Sequence, residues 1–169
     1  MQIIKFIILL VILGISIYIG ILVSKKYVNR EKELKEFKNA LSILGTQIKF
    51  TYEPLPKIFK QIGEITKGNT GKIFTNAYMN MDKYQAGDAW KKSVEESNGN
   101  INKEDKEIIK KLGNLLGQVD VEGQLKEIKL EEEFIKGQIG RAEEERKKNE
   151  KLYRTLGVTI GMTIVIILI

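Results

Sequence analysis

The side chains able to do chemistry in this chain are carboxylates, amines and hydroxyls, because it contains no His and no Cys. That removes the commonest general base, the soft metal ligands and every thiol nucleophile. Structural zinc sites, His-dependent triads and redox dithiols are excluded with them. Without a thiol, cysteine usage says nothing of redox compartment. Gly68-Asn69-Thr70-Gly71-Lys72 invites comparison with a phosphate loop. Such a loop needs four residues between its glycines and Ser or Thr after its Lys. Here two intervene and Ile73 follows, so the segment reads as a turn. The acidic runs Glu131 to Glu133 and Glu143 to Glu145 suggest hard-cation binding. Consecutive helical residues point in different directions, however, and the runs are expected to be solvated helix surface. Glu104 and Asp105 resemble an acid–base pair, yet their place at a helix start accounts for them through capping and the helix dipole. Lys49, Phe50, Tyr52, Lys57, Phe59 and Lys60 interleave base and aromatic as nucleic-acid surfaces do. The aromatics fit helix core faces better, and the charge suits a domain beside anionic lipid. Trp90, the one Trp, reads as a core anchor. The sequence therefore assigns no catalytic residue, no cofactor and no metal, and no nucleic-acid partner.

The elements around these residues fall into three stretches of a 169-residue chain with a formal charge of +6. Mean hydropathy is −0.18, a soluble-looking average that conceals two apolar ends. Phe6 to Val23 is an uncharged run of 18 residues, about 27 Å as a helix and close to the hydrocarbon thickness of a bilayer. A cleaved signal peptide would be shorter, with small residues before the cut; here Leu22-Val23-Ser24-Lys25-Lys26 follows, and a retained anchor is expected. Thr155 to Ile169 is also uncharged but reaches only about 22 Å. Lys151 and Arg154 can snorkel to extend it, or the bilayer can thin. The alternative is a helix in the interface or buried against the first span. The run is apolar all round, which favours spanning. Lys25, Lys26, Arg30 and Lys32 follow the first run; Arg146, Lys147, Lys148, Lys151 and Arg154 precede the second. The positive-inside rule then puts the middle in the cytosol and both termini on the far side. Ser16, Gly20 and Ser24, and Gly157 with Gly161, repeat small residues at four-residue spacing, a pattern that allows close helix approach in lipid.

The middle reads as helices. Leu34, Phe37, Leu41, Leu44 and Ile48 form an amphipathic stripe running out of the first span. Pro54 and Pro56 end it. A second helix carries Leu55, Ile58, Phe59, Ile62 and Ile65, and Thr66 to Gly71 is a break. A third presents Ile73, Phe74, Ala77, Tyr78 and Met81 and stops near Gly87. Asp88 caps a short fourth with Ala89, Trp90 and Val94. Asn102 and Asp105 suggest a capping box for a fifth through Ile108, Ile109, Leu112 and Leu115. Gly117 suits its stop and Asp120 the next cap. A last, long helix places Val121, Leu125, Ile128, Ile135, Ile139 and Ala142 on one seam, broken at Glu132, and runs on into the second apolar stretch. No β-alternation is evident. The expected fold is all-α: an antiparallel bundle of about six helices with a transmembrane helix at each end. Its parts are an N-terminal span in 1–24, a cytosolic bundle in 25–154 and a C-terminal span in 155–169.

In order and spacing, Gln47 to Leu55 (QIKFTYEPL), Gly87 to Trp90 (GDAW), Leu112 to Gly117 (LGNLLG) and Lys148 to Gly157 (KNEKLYRTLG) resemble the stage III sporulation protein AB family of endospore-forming bacteria. The likeness covers nearly the whole chain, and each motif alone carries little information. That family is similar in its cytosolic part to the helical domain of the type II secretion system F protein. The resemblance implies a platform role in the channel complex linking mother cell and forespore, in support of late forespore gene expression. It implies a mother-cell membrane location facing the forespore. The implied partners are other membrane proteins of the complex and a secretion-type ATPase. With one cytosolic domain where secretion F proteins usually have two, assembly from several copies is a natural corollary. No catalytic residue carries over. Pro54, Leu55, Trp90 and Gly117 match the family pattern as structural or interface positions, beside Gly157 and Gly161 from the small-residue rows. Two further classes compete. A membrane-tethered coiled-coil sensor would self-associate through residues 121–154, and a membrane-bound carboxylate enzyme would need a deep cleft collecting several acids.

Overall fold

Apolar residues at 3-4 spacing over long stretches, with few breakers, leave helix as the means of satisfying nearly all the backbone. In the computed structural model, which describes residues 2–51, 53–114, 116–117 and 120–168, the elements are six α-helices and one 3-10 turn, with no strand among the described residues. They are α1 (Gln2–Phe50), α2 (Leu55–Ile65), α3 (Gly68–Asn80), α4 (Ala86–Glu95), α5 (Lys103–Lys111), the 3-10 turn Leu112–Asn114, and α6 (Val121–Leu168). The expected all-α fold is the one observed, with a long apolar helix at each end. Tyr52, Leu115 and Ile169, which figured in the sequence reading, lie outside the described residues.

Two compact units result: one from the stretches up to Glu31 and from Ala142 onward, the other from Lys32–Arg141. In the second unit Leu34, Phe37, Leu41, Leu44 and Ile48 are all buried, as their spacing predicts. α2 packs on α3, α3 on α4 and α4 on α5. The centre is aromatic. Phe59 and Phe74 meet Trp90 edge-on at 5.6 and 5.0 Å, and Phe37 lies 6.0 Å from it, an arrangement that adds to simple area burial. Asn102 and Asp105 form the anticipated capping box, each side chain bonded to the other's backbone N–H at 2.8 and 2.9 Å.

Several boundaries differ from the sequence reading. α3 begins at Gly68, so Asn69 to Gly71 form its first turn and the break shrinks to Thr66 and Lys67. Thr70 and Gly71 are buried there, and that packing outweighs the loop composition. α3 ends at Asn80 and α4 begins at Ala86, with Gln85 at the cap position and Asp88 inside the first turn. Gly87 is not a helix stop: it is buried at a backbone crossing with Gly113 that a Cβ would block. In α2, Ile58, Phe59 and Ile62 are buried, while Ile65 is 61% exposed.

Candidate functional site

Within the paired-helix unit the small residues face one another. The Ser16 hydroxyl donates to the Gly157 carbonyl at 2.7 Å. A Cβ on Gly20 would lie 2.6 Å from the Tyr153 carbonyl oxygen and 3.0 Å from the Gly157 Cα. A Cβ on Gly161 would meet Leu13 at 2.8 Å and Ser16 at 3.0 Å. Backbone approach this tight is what small residues permit. Where the apolar runs end, Tyr27 stacks on Tyr153 at 5.8 Å with their planes 14° apart, and Arg154 Nε donates to the Ser24 hydroxyl at 3.4 Å.

Ion pairs then take over from packing. Arg30 Nη1 bonds Glu145 at 2.7 Å and Arg146 Nε bonds Glu31 at 2.5 Å. Glu150 accepts from Arg154 at 2.9 Å and lies 3.6 Å from Arg146. Arg30 and Glu31 are almost wholly buried, so their charges are shielded from screening by salt. Lys25, Lys26, Lys147, Lys148 and Lys151 are exposed.

In the second unit, Glu33 on α1 is a buried carboxylate. It accepts from Asn69 Nδ2 at 2.6 Å, from the Asn100 N–H at 2.7 Å and from Asn100 Nδ2 at 3.3 Å. One side chain thus holds the start of α3 and the loop before α5, through charge-assisted bonds. Trp90 Nε1 donates to the Ile109 carbonyl at 2.8 Å, fixing α4 on α5. Pro54 caps α2, its carbonyl accepting from Lys57 and Ile58. Leu55 comes within 3.8 Å of where a Gly117 Cβ would stand, with Ala86 at 3.7 Å. Gly117 has φ +75°, a conformation glycine adopts without steric cost. The structure therefore gathers Leu55 and Gly117 at the start of α4, with Trp90 one turn on.

The buried face of α6 in this unit runs Ile128, Glu131, Ile135 and Gln138. This corrects two expectations. Glu131 is not solvated surface, being 5% exposed, and the seam passes through Glu131 and Gln138 rather than Glu132 and Ile139. Burial pushes the Glu131 carboxyl up to about 8, Glu127 adds to the rise and Lys111 opposes it. Its Oε1 has no hydrogen-bond partner among the described residues. Glu145, on the second acidic run, is likewise engaged, by Arg30.

A cavity of 460 Å³ opens between α5 and α6, edged by Glu104, Glu107 and Glu133. Each acid has its own cation: Glu104 is 2.6 Å from Arg141, Glu107 2.8 Å from Lys110 and Glu133 3.4 Å from Lys136. Glu104 also accepts from Gln138. Among the described residues no cluster of ligating side chains could hold a metal.

The family model for stage III sporulation protein AB matches residues 5–169. The chain belongs to that family. Stage III sporulation protein AB of Bacillus subtilis (strain 168) is 27% identical over 153 residues, covering 88% of this chain and 90% of its own. A solved structure of stage III sporulation protein AB superposes with a TM-score of 0.65 at 24% identity, over 70% of this chain and 96% of its own, a likeness of fold. Membership of the sporulation protein AB family supports a role in sporulation. Within this family member, Pro54, Leu55, Trp90 and Gly117 lie in the Lys32–Arg141 unit, and Gly157 and Gly161 in the paired-helix unit. Sequence reasoning missed Glu33 and the Arg30–Glu145 and Arg146–Glu31 pairs. For the last, the signal was available: Arg30-Glu31 and Glu145-Arg146 are mirror-image dipeptides flanking the two apolar runs.

Proposed function

We propose that this chain is a membrane-embedded platform component of the secretion-like channel complex between mother cell and forespore, needed for late forespore gene expression. The observation that carries the reading is the family match over residues 5–169. Two helices long and apolar enough to cross a bilayer agree with it. In this reading the first span lies in 1–24 and the second in 155–169, with 25–154 in the cytosol of the mother cell. The basic residues after the first run and before the second support that orientation. Pro54, Leu55, Trp90 and Gly117 shape the bundle presented to partners, and Gly157 and Gly161 seat the second span on the first. The expected partners are other membrane proteins of the complex and a secretion-type ATPase, with several copies of this chain in the assembly. The role is that of a scaffold and involves no catalysis.

The test is deletion together with in-cell crosslinking during spore formation. Loss of late forespore expression, with recovery of the ATPase or membrane partners on crosslinked chain, is expected. Normal spores and no crosslinked partner would refute it.

A further inference from the structure

In the paired-helix unit arginines and lysines are used differently. Arg30 and Arg146 bond Glu145 and Glu31 on the opposite helix, and Arg154 bonds Glu150 one turn back on its own, where a planar fork suits a fixed carboxylate. The lysines are spent on none of these pairs. Lys25 and Lys26 leave the α1 seam directly after Ser24; Lys147, Lys148 and Lys151 stand on the outer flank of α6, and all five are exposed. Over residues 24–31 and 145–154 eight basic residues stand against three acids, Glu31, Glu145 and Glu150, and each of these acids is held by an arginine. Along the helix Lys151 lies about 6 Å from Thr155 and Lys147 about 12 Å. All five therefore fall within, or just beyond, one screening length of an apolar boundary.

We propose that Lys25, Lys26, Lys147, Lys148 and Lys151 form a collar that binds the phosphates of anionic phospholipids, holding a shell of such lipid around the helix pair. Flexible ammonium groups suit this ligand, since mobile headgroups offer single phosphates without fixed spacing. Nucleic acid shares the phosphate but draws on aromatic faces for its bases, and Tyr27 and Tyr153, the nearest rings, are stacked on each other. The collar rests on the reading that both apolar runs cross the bilayer.

The test reconstitutes the full-length chain in phosphatidylcholine vesicles carrying trace spin-labelled phosphatidylglycerol or phosphatidylcholine. The motionally restricted fraction gives the relative association of each lipid. Phosphatidylglycerol should be favoured several-fold, up to about five-fold for each lysine engaged, and less at high salt. The preference should vanish when the five lysines become Gln and survive when they become Arg, with helicity by circular dichroism unchanged. Equal association in the native chain, or an undiminished preference in the Gln variant, overturns the proposal. So does lysine-dependent binding of labelled single-stranded RNA that phosphatidylglycerol vesicles fail to compete. Alkaline extraction separates the two readings: a chain released to the supernatant refutes the spans themselves, whereas a retained chain without lipid preference refutes the collar alone.

Discussion

The Ser16 hydroxyl and the Gly157 carbonyl, 141 residues apart in sequence, are joined at 2.7 Å, at a level where Gly20 and Gly157 bring two helix backbones nearly into contact. In the proposed spans no hydrophobic effect drives such pairing, so contact geometry decides it. Replacing Gly157 by Val places a Cβ 2.9 Å from the Ser16 carbonyl oxygen and should separate the helices. Ser16→Ala should cost only about 0.6 kcal/mol. Because the chain has no Cys, a disulfide between cysteines introduced at Leu13 and Gly161, whose Cβ would lie 2.8 Å from the Leu13 side chain, reads the pairing without background. Its yield should collapse in Gly157→Val and stay near that of the parent in Ser16→Ala.

Charge reversal probes the pairs beyond the apolar runs. Glu145→Arg should destabilise, because it leaves the buried Arg30 facing a like charge. The double change Arg30→Glu with Glu145→Arg should recover part of the loss, and a thermal-melt double-mutant cycle measures the coupling. Breaking a buried pair costs about 3–5 kcal/mol; here Glu145 is half exposed, so about 1–2 kcal/mol is expected. Zero coupling would refute the pairing.

Trp90 supplies both a signal and a target. Trp90→Ala should cost about 3–5 kcal/mol. Trp90→Phe keeps the ring contacts but strips the Ile109 carbonyl of its donor, at about 1–3 kcal/mol. Denaturant unfolding of the detergent-solubilised chain, followed by circular dichroism, orders the two. In the native chain the one Trp should emit in the blue, as a fully buried indole does. Emission at the wavelength of water-exposed Trp would contradict the core.

Glu131 makes stability depend on pH. Its carboxyl titrates near 8 when folded, against 4.5 as the ordinary value, so between these the folded state holds the extra proton. Stability is then fully present below about 4.5 and falls as pH rises towards 8. Glu131→Gln should flatten that window, and at pH 8 the variant should be more stable than the native chain by about 2 kcal/mol. Melting temperatures of both proteins across pH 5 to 8.5 provide the check. Parallel curves would remove Glu131 as the source.

What the sequence made legible follows from which forces are local. The stripe from Leu34 to Ile48, the prolines ending α1 and the Asn102–Asp105 box each depend on residues within a turn or two, and each appears as anticipated. What depends on distant chain was not legible. Gly87 looks like a helix stop until Gly113 is seen against it, and Gly68 to Gly71 look like loop until the burial of Thr70 and Gly71 is known. Glu131 and Gln138 occupy core positions that a hydropathy seam assigns to apolar neighbours, and the partners that make Glu33 and Arg30 structural lie 36 and 115 residues away. Of the candidate positions, Trp90 was readable as an anchor from its rarity alone; the proximity of Leu55 and Gly117 was not.

The pairing of Glu31 with Arg146 has a polymer consequence. It draws together the two borders of a stretch of roughly 110 residues, Lys32–Arg141, and so closes that stretch into a ring. A covalent link across a ring of that size lowers the entropy of the unfolded chain by the equivalent of about 4–5 kcal/mol. The helix pair does the same reversibly, for as long as its two members stay side by side. Excising the ends would then free more chain disorder than the lost contacts alone account for, and a fragment without them should melt below the whole protein with every core residue intact.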